Sequence, residues 1–218
     1  MFNIFTTEGL ISFLYTLPAL LISLSIHEYF HAYTAYKLGD KSQKLFGRLT
    51  LQPFAHIDLF GFICIALFGF GWGKPVLVDD RNFKNKRRDN MLVALAGPLS
   101  NLVLAIIFTL LFKIMFKTGM FGLYNVNQSL FQSLTTMMYL AISFNIIFAI
   151  FNMLPFPPFD GSKVLYYFLP NKAKKFMEIL ERYSFYIILI FFITDFGQLL
   201  ITPLYNILMG AISWFILL

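Results

Sequence analysis

The chain alternates long apolar runs with short polar segments that are mostly basic. The first run, Leu10 to Leu38, is long enough to span a bilayer as a helix, at ~1.5 Å per residue against a hydrocarbon core of about 30 Å. Pro18 falls inside it, where membrane helices tolerate a kink. Gly39-Asp40 ends the run ahead of Lys41, Lys44 and Arg48. Gly47 to Gln52 alternates like a short strand until Pro53 breaks it. Leu59 to Trp72 is apolar but only about half a span long, which reads as a re-entrant segment or a membrane-embedded hairpin. Lys74 to Val78 predicts a second strand facing the first, the pair forming a short β-hairpin. A basic loop, Asp79 to Asn90, leads to a second span from Met91 to about Phe116. Its Ala96-Gly97-Pro98-Leu99-Ser100-Asn101 stretch lets two helix backbones approach closely. After an uncharged loop, Thr118 to Leu134, a third span runs from Thr135 to about Leu154 and dissolves into NMLPFPPFDG, Asn152 to Gly161. A basic linker from Lys163 to Arg182 follows. The tail, Tyr183 to Leu218, is one span or two, and the break signals at Asp195-Phe196-Gly197 and Pro203 favour two.

Composition agrees with this pattern. With 58% hydrophobic and 13% charged residues, the chain is expected to be an all-α polytopic membrane protein. Its length leaves no room for a separate soluble domain, so residues 1–218 are expected to form a single integral-membrane domain. The net charge of +6 does not point to nucleic acid, because the basic residues sit between apolar runs and act as topology signals. They place the three basic segments in the cytoplasm and the amino terminus outside. Leu59–Trp72 must then return to the side it left. Lys113 and Lys117, near the outer end of the second span, run against this pattern unless they snorkel. Cys64, the single cysteine, excludes an internal disulfide framework. No cleavable signal peptide is expected, since the start carries Glu8 and no Lys or Arg.

The chemistry is concentrated in the first span. Residues 25–32 read SIHEYFHA, an HExxH motif inside a run otherwise almost free of charge. Four residues apart on a helix, His27 and His31 point two imidazoles at one ion. Glu28 stands beside that ion without having to bind it, placed to take a proton from water that the ion activates. A charge at the centre of a membrane helix costs about 2.5–3.5 kcal/mol on insertion scales, so such residues are functional by default. The plainer alternative is a helix that carries them for packing.

A catalytic zinc takes three protein ligands and keeps one position open. The third ligand has to come from His56 or from Asp40, Asp58, Asp79, Asp80, Asp89, Asp160, Glu178, Glu181 or Asp195. Depth favours Asp160. His31 lies about seven residues, or ~10 Å of helix rise, before the cytoplasmic end of its span. Asp160 follows a span travelling toward the cytoplasm and a proline-broken stretch, where irregular backbone requires burial in protein or a wet cavity. An ordinary turn at a span's end is the other reading of Asp160-Gly161. Asp195 follows a span leaving the cytoplasm and falls too far away.

HEYFHA, GRLTLQPFAHID, GWGKPV, LAGPLSN and NMLPFPPFDG, in that order, resemble the site-2 protease family of intramembrane zinc metalloproteases, and its short bacterial-type members in particular. The resemblance covers about Leu10 to Ser162. It implies one catalytic zinc ion at His27, His31 and Asp160, Glu28 as catalytic base, and a three-span catalytic core at about 10–162 followed by C-terminal spans at about 183–218. It implies cleavage of peptide bonds within or next to membrane-spanning segments, with transmembrane or signal-peptide-like proteins as substrates, in the bacterial cell membrane. Asn152, at the family's motif asparagine, then helps to position substrate or stabilise the oxyanion. Gln52 stands where short members often carry asparagine. The chain is expected to have no room for the PDZ or other regulatory domain of larger members, and neither the natural substrate nor any accessory subunit is legible.

His56 stays open between hydrogen-bond support of the centre, a substrate contact, a plug on the catalytic water and a simple cap on a re-entrant turn. A membrane metal transporter or sensor also places His and Glu inside spans. It calls for several ligand clusters along a path, and the sequence has one. An inactive homologue that only binds transmembrane partners has no reason to keep His27, Glu28, His31 and Asp160 together.

Overall fold

A computed structural model describes residues 5–68, 71–117, 127–194 and 196–217. The helices are α1 (Thr7–Leu38), α2 (Ser42–Leu45), α3 (Leu59–Phe68), α4 (Lys86–Lys117), α5 (Gln128–Asn152), α6 (Asp160–Phe168), α7 (Lys174–Arg182), α8 (Ser184–Ile193) and α9 (Phe196–Leu217). Among the described residues α1, α4, α5 and α9 are long and apolar enough to cross a membrane. Helices prevail because in hydrocarbon every backbone group needs a partner within its own segment. Large apolar side chains such as Leu14, Ile22, Leu99, Ile106 and Ile207 face outward, as a lipid-facing surface requires.

α1, α4 and α5 pack on one another, and their contact faces carry small residues. Ser23, Ala32 and Ala35 of α1 and Ala94 and Asn101 of α4 are wholly buried, with Ala105, Ala141 and Ala149 nearly so. Close backbone approach of this kind holds membrane helices together where lipid is as apolar as leucine. The apolar core between α4, α5 and α9 is built on Ala105, Ile142, Ile146 and Ile150, with Ile201, Tyr205 and Leu208 against it.

Several expectations change. The segments predicted as strands form none among the described residues. The one isolated antiparallel bridge among the described residues, between Ile57 and Gly73, lies just outside both segments. The physical reason is that side chains have taken the backbone groups a ladder needs. The Arg48 guanidinium donates to the carbonyls of Ala55, Lys74 and Pro75. Gln43 Nε2 donates to Leu77 O at 2.7 Å, and Pro75 has no N–H to offer. The Ile57–Gly73 bridge does bring the chain back beside the point from which it entered α3.

Within the basic linker, α6 and α7 are helical. α5 begins at Gln128, inside the stretch expected as a loop, where the Asn127 side chain accepts the Leu130 N–H at 3.0 Å. Residues 118–126 of that expected loop lie outside the described residues. The tail divides near Thr194, giving a ten-residue α8 and a 22-residue α9. Pro203 does not break α9.

Candidate metal centre

Helical spacing puts His27 and His31 on one buried face of α1. Their rings stand nearly perpendicular, with centroids 4.5 Å apart, and their Nε2 atoms are 2.9 Å apart. Asp160 opens α6, and its Oδ2 lies 3.0 Å from His31 Nε2 and 3.2 Å from His27 Nε2. It arrives there because α5 ends at Asn152 and the proline-rich turn brings the chain back against that end. Gly161 permits the contact: a Cβ on it would stand 2.2 Å from the Met153 carbonyl oxygen. His27, His31 and Asp160 are 3, 7 and 8% exposed. Among the described residues they form the one group of three or more His, Cys, Asp or Glu whose ligand atoms converge.

The far side of each imidazole shows which nitrogen carries hydrogen. His31 Nδ1 lies 2.7 Å from the Val93 carbonyl, which only accepts, so Nδ1 must donate. His27 Nδ1 lies 2.7 Å from Asn101 Oδ1. The Asn101 amide is oriented by donating to Ser23 O at 3.1 Å and Asn145 Oδ1 at 3.0 Å, so its oxygen is the group that faces His27. In its neutral form each ring therefore presents an Nε2 lone pair inward, toward the other and toward a carboxylate. Three lone pairs at this spacing repel unless a cation stands between them. Ligand atoms around a tetrahedral zinc are separated by ~3.3 Å, given Zn–N and Zn–O bonds of about 2.0–2.1 Å. The observed edges fall within a few tenths of an ångström of that, so the residues fit such an ion in donor type, tautomer and spacing.

Glu28 belongs to a different part of the same cavity, which has a volume of about 240 Å³. It is 9% exposed, and its Oε2 accepts the Val76 N–H at 3.1 Å. Leu24, Trp72, Phe148 and Phe151 make one wall apolar, while Asn152 and Lys163 line it near Asp160. The Asn152 side-chain nitrogen donates to Phe148 O within its own helix at 2.9 Å. Gly97 of α4 faces the imidazoles so closely that a Cβ there would sit 2.5 Å from His31 Nε2 and 2.6 Å from His27 Cε1.

His56 is fully buried and stands apart from this group. Its Nε2 donates to Thr50 O at 2.7 Å, and Nδ1 has no hydrogen-bond partner among the described residues. Burial pushes its pKa below the ordinary histidine value and Arg48 adds to this, against the opposing Thr50 bond, so the ring is neutral. The remaining acids have other work. Asp58 accepts the Gly61 N–H at 2.8 Å and caps α3. Asp79, Asp80 and Asp89 pair with Arg81, Lys86 and Arg88. Asp40 is fully buried and accepts from Ser42 N, Gln43 Nε2, Asp79 N and Asn82 Nδ2 at 2.9–3.2 Å. Burial pushes its pKa up, but the hydrogen bonds from Ser42, Asp79 and Gln43 outweigh this and hold it below the ordinary carboxylate value. Glu178 and Glu181 line a polar cleft beside α7, and Asp195 lies outside the described residues.

Sequence reasoning missed Asn101, Val93 O, Gly97 as the floor of the centre, and the Val76 amide. One signal was available for Asn101: an amide inside an apolar span is expensive unless partnered, and LAGPLSN points to Asn101 in that way as well as to small residues and a family motif.

Residues 15–194 match the sequence model of Peptidase family M50. "Putative zinc metalloprotease YwhC" of Bacillus subtilis is 39% identical over 192 residues, 88% of this chain and 86% of that protein. "Putative zinc metalloprotease Rip2" of Mycobacterium tuberculosis is 28% identical over 187 residues, 83% of this chain and 67% of its own. "Putative zinc metalloprotease MJ0611" of Methanocaldococcus jannaschii is 32% identical over 157 residues, 72% of each. No solved structure matches the chain significantly.

Proposed function

The chain belongs to Peptidase family M50, and from that membership we propose that it is a zinc-dependent intramembrane endopeptidase. The observation that carries this is the pairing of a three-donor centre, His27, His31 and Asp160, with a second acid, Glu28, that shares the cavity without joining the group. A transporter needs the ligands but has no use for a non-ligand base beside them, and no second cluster lies along a path among the described residues. A zinc ion held by the three donors supplies Lewis acidity and lowers the pKa of water to about 7.

The protein's own groups do the rest. Glu28 takes the proton of the attacking water and returns it to the leaving amine, with the Val76 N–H keeping its carboxylate in place. Asn101 and the Val93 carbonyl keep both imidazoles in the tautomer that presents Nε2 inward. The apolar wall excludes bulk water, and Asn152 stands at the cavity to orient substrate or stabilise the oxyanion.

The substrates are transmembrane or signal-peptide-like proteins cut within or beside their apolar segments, inside a lipid bilayer and without nucleic acid. The centre faces the cytoplasmic side, in keeping with the basic residues Lys41, Lys44 and Arg48 just beyond α1. Leu59–Phe68 dips into the membrane from that side and returns. A substrate must be locally unwound there. The 74–78 edge offers less backbone than its sequence implies, because the Lys74 and Val76 N–H groups and the Leu77 carbonyl already have partners. The deciding experiment is Glu28→Gln in detergent, with metal analysis and cleavage of a transmembrane peptide. Zinc content should match wild type and cleavage should vanish. Cleavage that survives Glu28→Gln or a chelator sinks the proposal.

A further inference from the structure

Arg48 is 6% exposed and makes no ion pair among the described residues. Burying a guanidinium without a carboxylate partner is costly, so its hydrogen bonds must matter to the fold or to the site. They go to main-chain carbonyls in two segments: Ala55 of the 53–56 turn, and Lys74 and Pro75 of the 74–76 run, the last at 2.7 Å. The Pro75 carbonyl that Arg48 holds and the Val76 N–H that holds Glu28 belong to one peptide unit. That unit is planar and rigid. Fixing its oxygen fixes the direction of its N–H. Donation to the oxygen also polarises the unit, which strengthens the bond from N–H to the Glu28 carboxylate. Glu28 is in addition the carboxylate to which Arg48 is electrostatically coupled.

We infer that Arg48 is the positioning residue of the catalytic base, orienting Glu28 through the single Pro75–Val76 peptide. This rests on the endopeptidase reading above. Arg48 does not line the cavity and bonds to none of the three convergent donors, and the sequence presents it only as one more basic residue beyond the first span. Its role requires a planar fork that reaches two segments at once, which an ammonium on a flexible stem does not supply.

The test uses the full-length protein in detergent with Arg48→Lys, Arg48→Met and, as an independent arm, Val76→Pro, which removes the donor while leaving Arg48 intact. Three quantities are read: zinc content, kcat and KM on a transmembrane peptide, and deuterium exchange of residues 71–79 in zinc-free protein. All three variants should keep zinc, lose kcat by roughly 100-fold as a misplaced general base does, and leave KM nearly unchanged. The Arg48 variants should lose exchange protection at the Val76 amide, and zinc-free Glu28→Ala should lose the same protection. Wild-type kcat in Arg48→Met, full rescue by Arg48→Lys, a change in KM alone, or zinc lost together with kcat overturns the inference. If wild type itself fails to cleave, the endopeptidase reading falls instead, and the exchange data still decide whether Arg48 holds the Val76 amide on Glu28.

Discussion

Asn101 Oδ1 accepts the Nδ1–H of His27 at 2.7 Å, and the Asn101 amide is itself held by Ser23 O and Asn145 Oδ1. A single side chain from α4 thus sets the tautomer of a donor on α1 and is locked by α5. Partners of this kind, one bond removed from a metal, typically change its affinity by about 10- to 100-fold when lost. Asn101→Leu should weaken zinc binding by that order in a chelator competition while the protein stays folded. Unchanged affinity would show that the tautomer is set some other way.

Gly97 leaves no room for a side chain. A methyl group 2.5 Å from His31 Nε2 must push the imidazoles or α4 aside. Overpacking of this kind costs about 1–3 kcal/mol. Gly97→Ala is expected to reduce zinc affinity by roughly 5- to 150-fold, the equivalent of that penalty. Titration of the purified variant with zinc reads this directly, and wild-type affinity would mean that the helices part at little cost.

His56 bonds to Thr50 and stands outside the convergent group. His56→Ala should therefore retain wild-type zinc content, measured by elemental analysis after gel filtration. Zinc lost from that variant, with the fold intact by circular dichroism, would make His56 part of the metal's environment after all.

Asp40 ties the end of α1 to α2 through hydrogen bonds from Ser42 N and Gln43 Nε2, and to the 79–82 turn through those from Asp79 N and Asn82 Nδ2. Its folded pKa lies below the ordinary value. The stability it contributes is therefore present above about pH 4, the unfolded value, and is lost as pH falls through the lower folded one. Asp40→Asn should lower thermal stability at neutral pH by about 1–3 kcal/mol and flatten the acid limb of the stability profile. A melting curve in detergent across pH 2–7 checks both, and an unaltered acid limb would remove Asp40 from the account.

Much of the molecule follows from local pattern. Hydropathy depends on neighbours in the chain, so the apolar runs announced the membrane helices, and the i, i+4 spacing of HExxH placed two donors on one face whatever surrounds them. Asp160 was reached by depth and by resemblance, yet it sits 129 residues from His31, and only the folded chain brings Oδ2 within 3.0 Å of that ring. The strands failed for a related reason. Alternation in 47–52 and 74–78 describes what each segment is able to do, but pairing depends on what else competes for its backbone: Arg48, Gln43 and Glu28 took groups of 74–78, and His56 took the Thr50 carbonyl. The tautomers of His27 and His31, the room left by Gly97 and the Val76 amide on Glu28 were likewise decided by packing, because each is a contact between residues that sequence order keeps far apart.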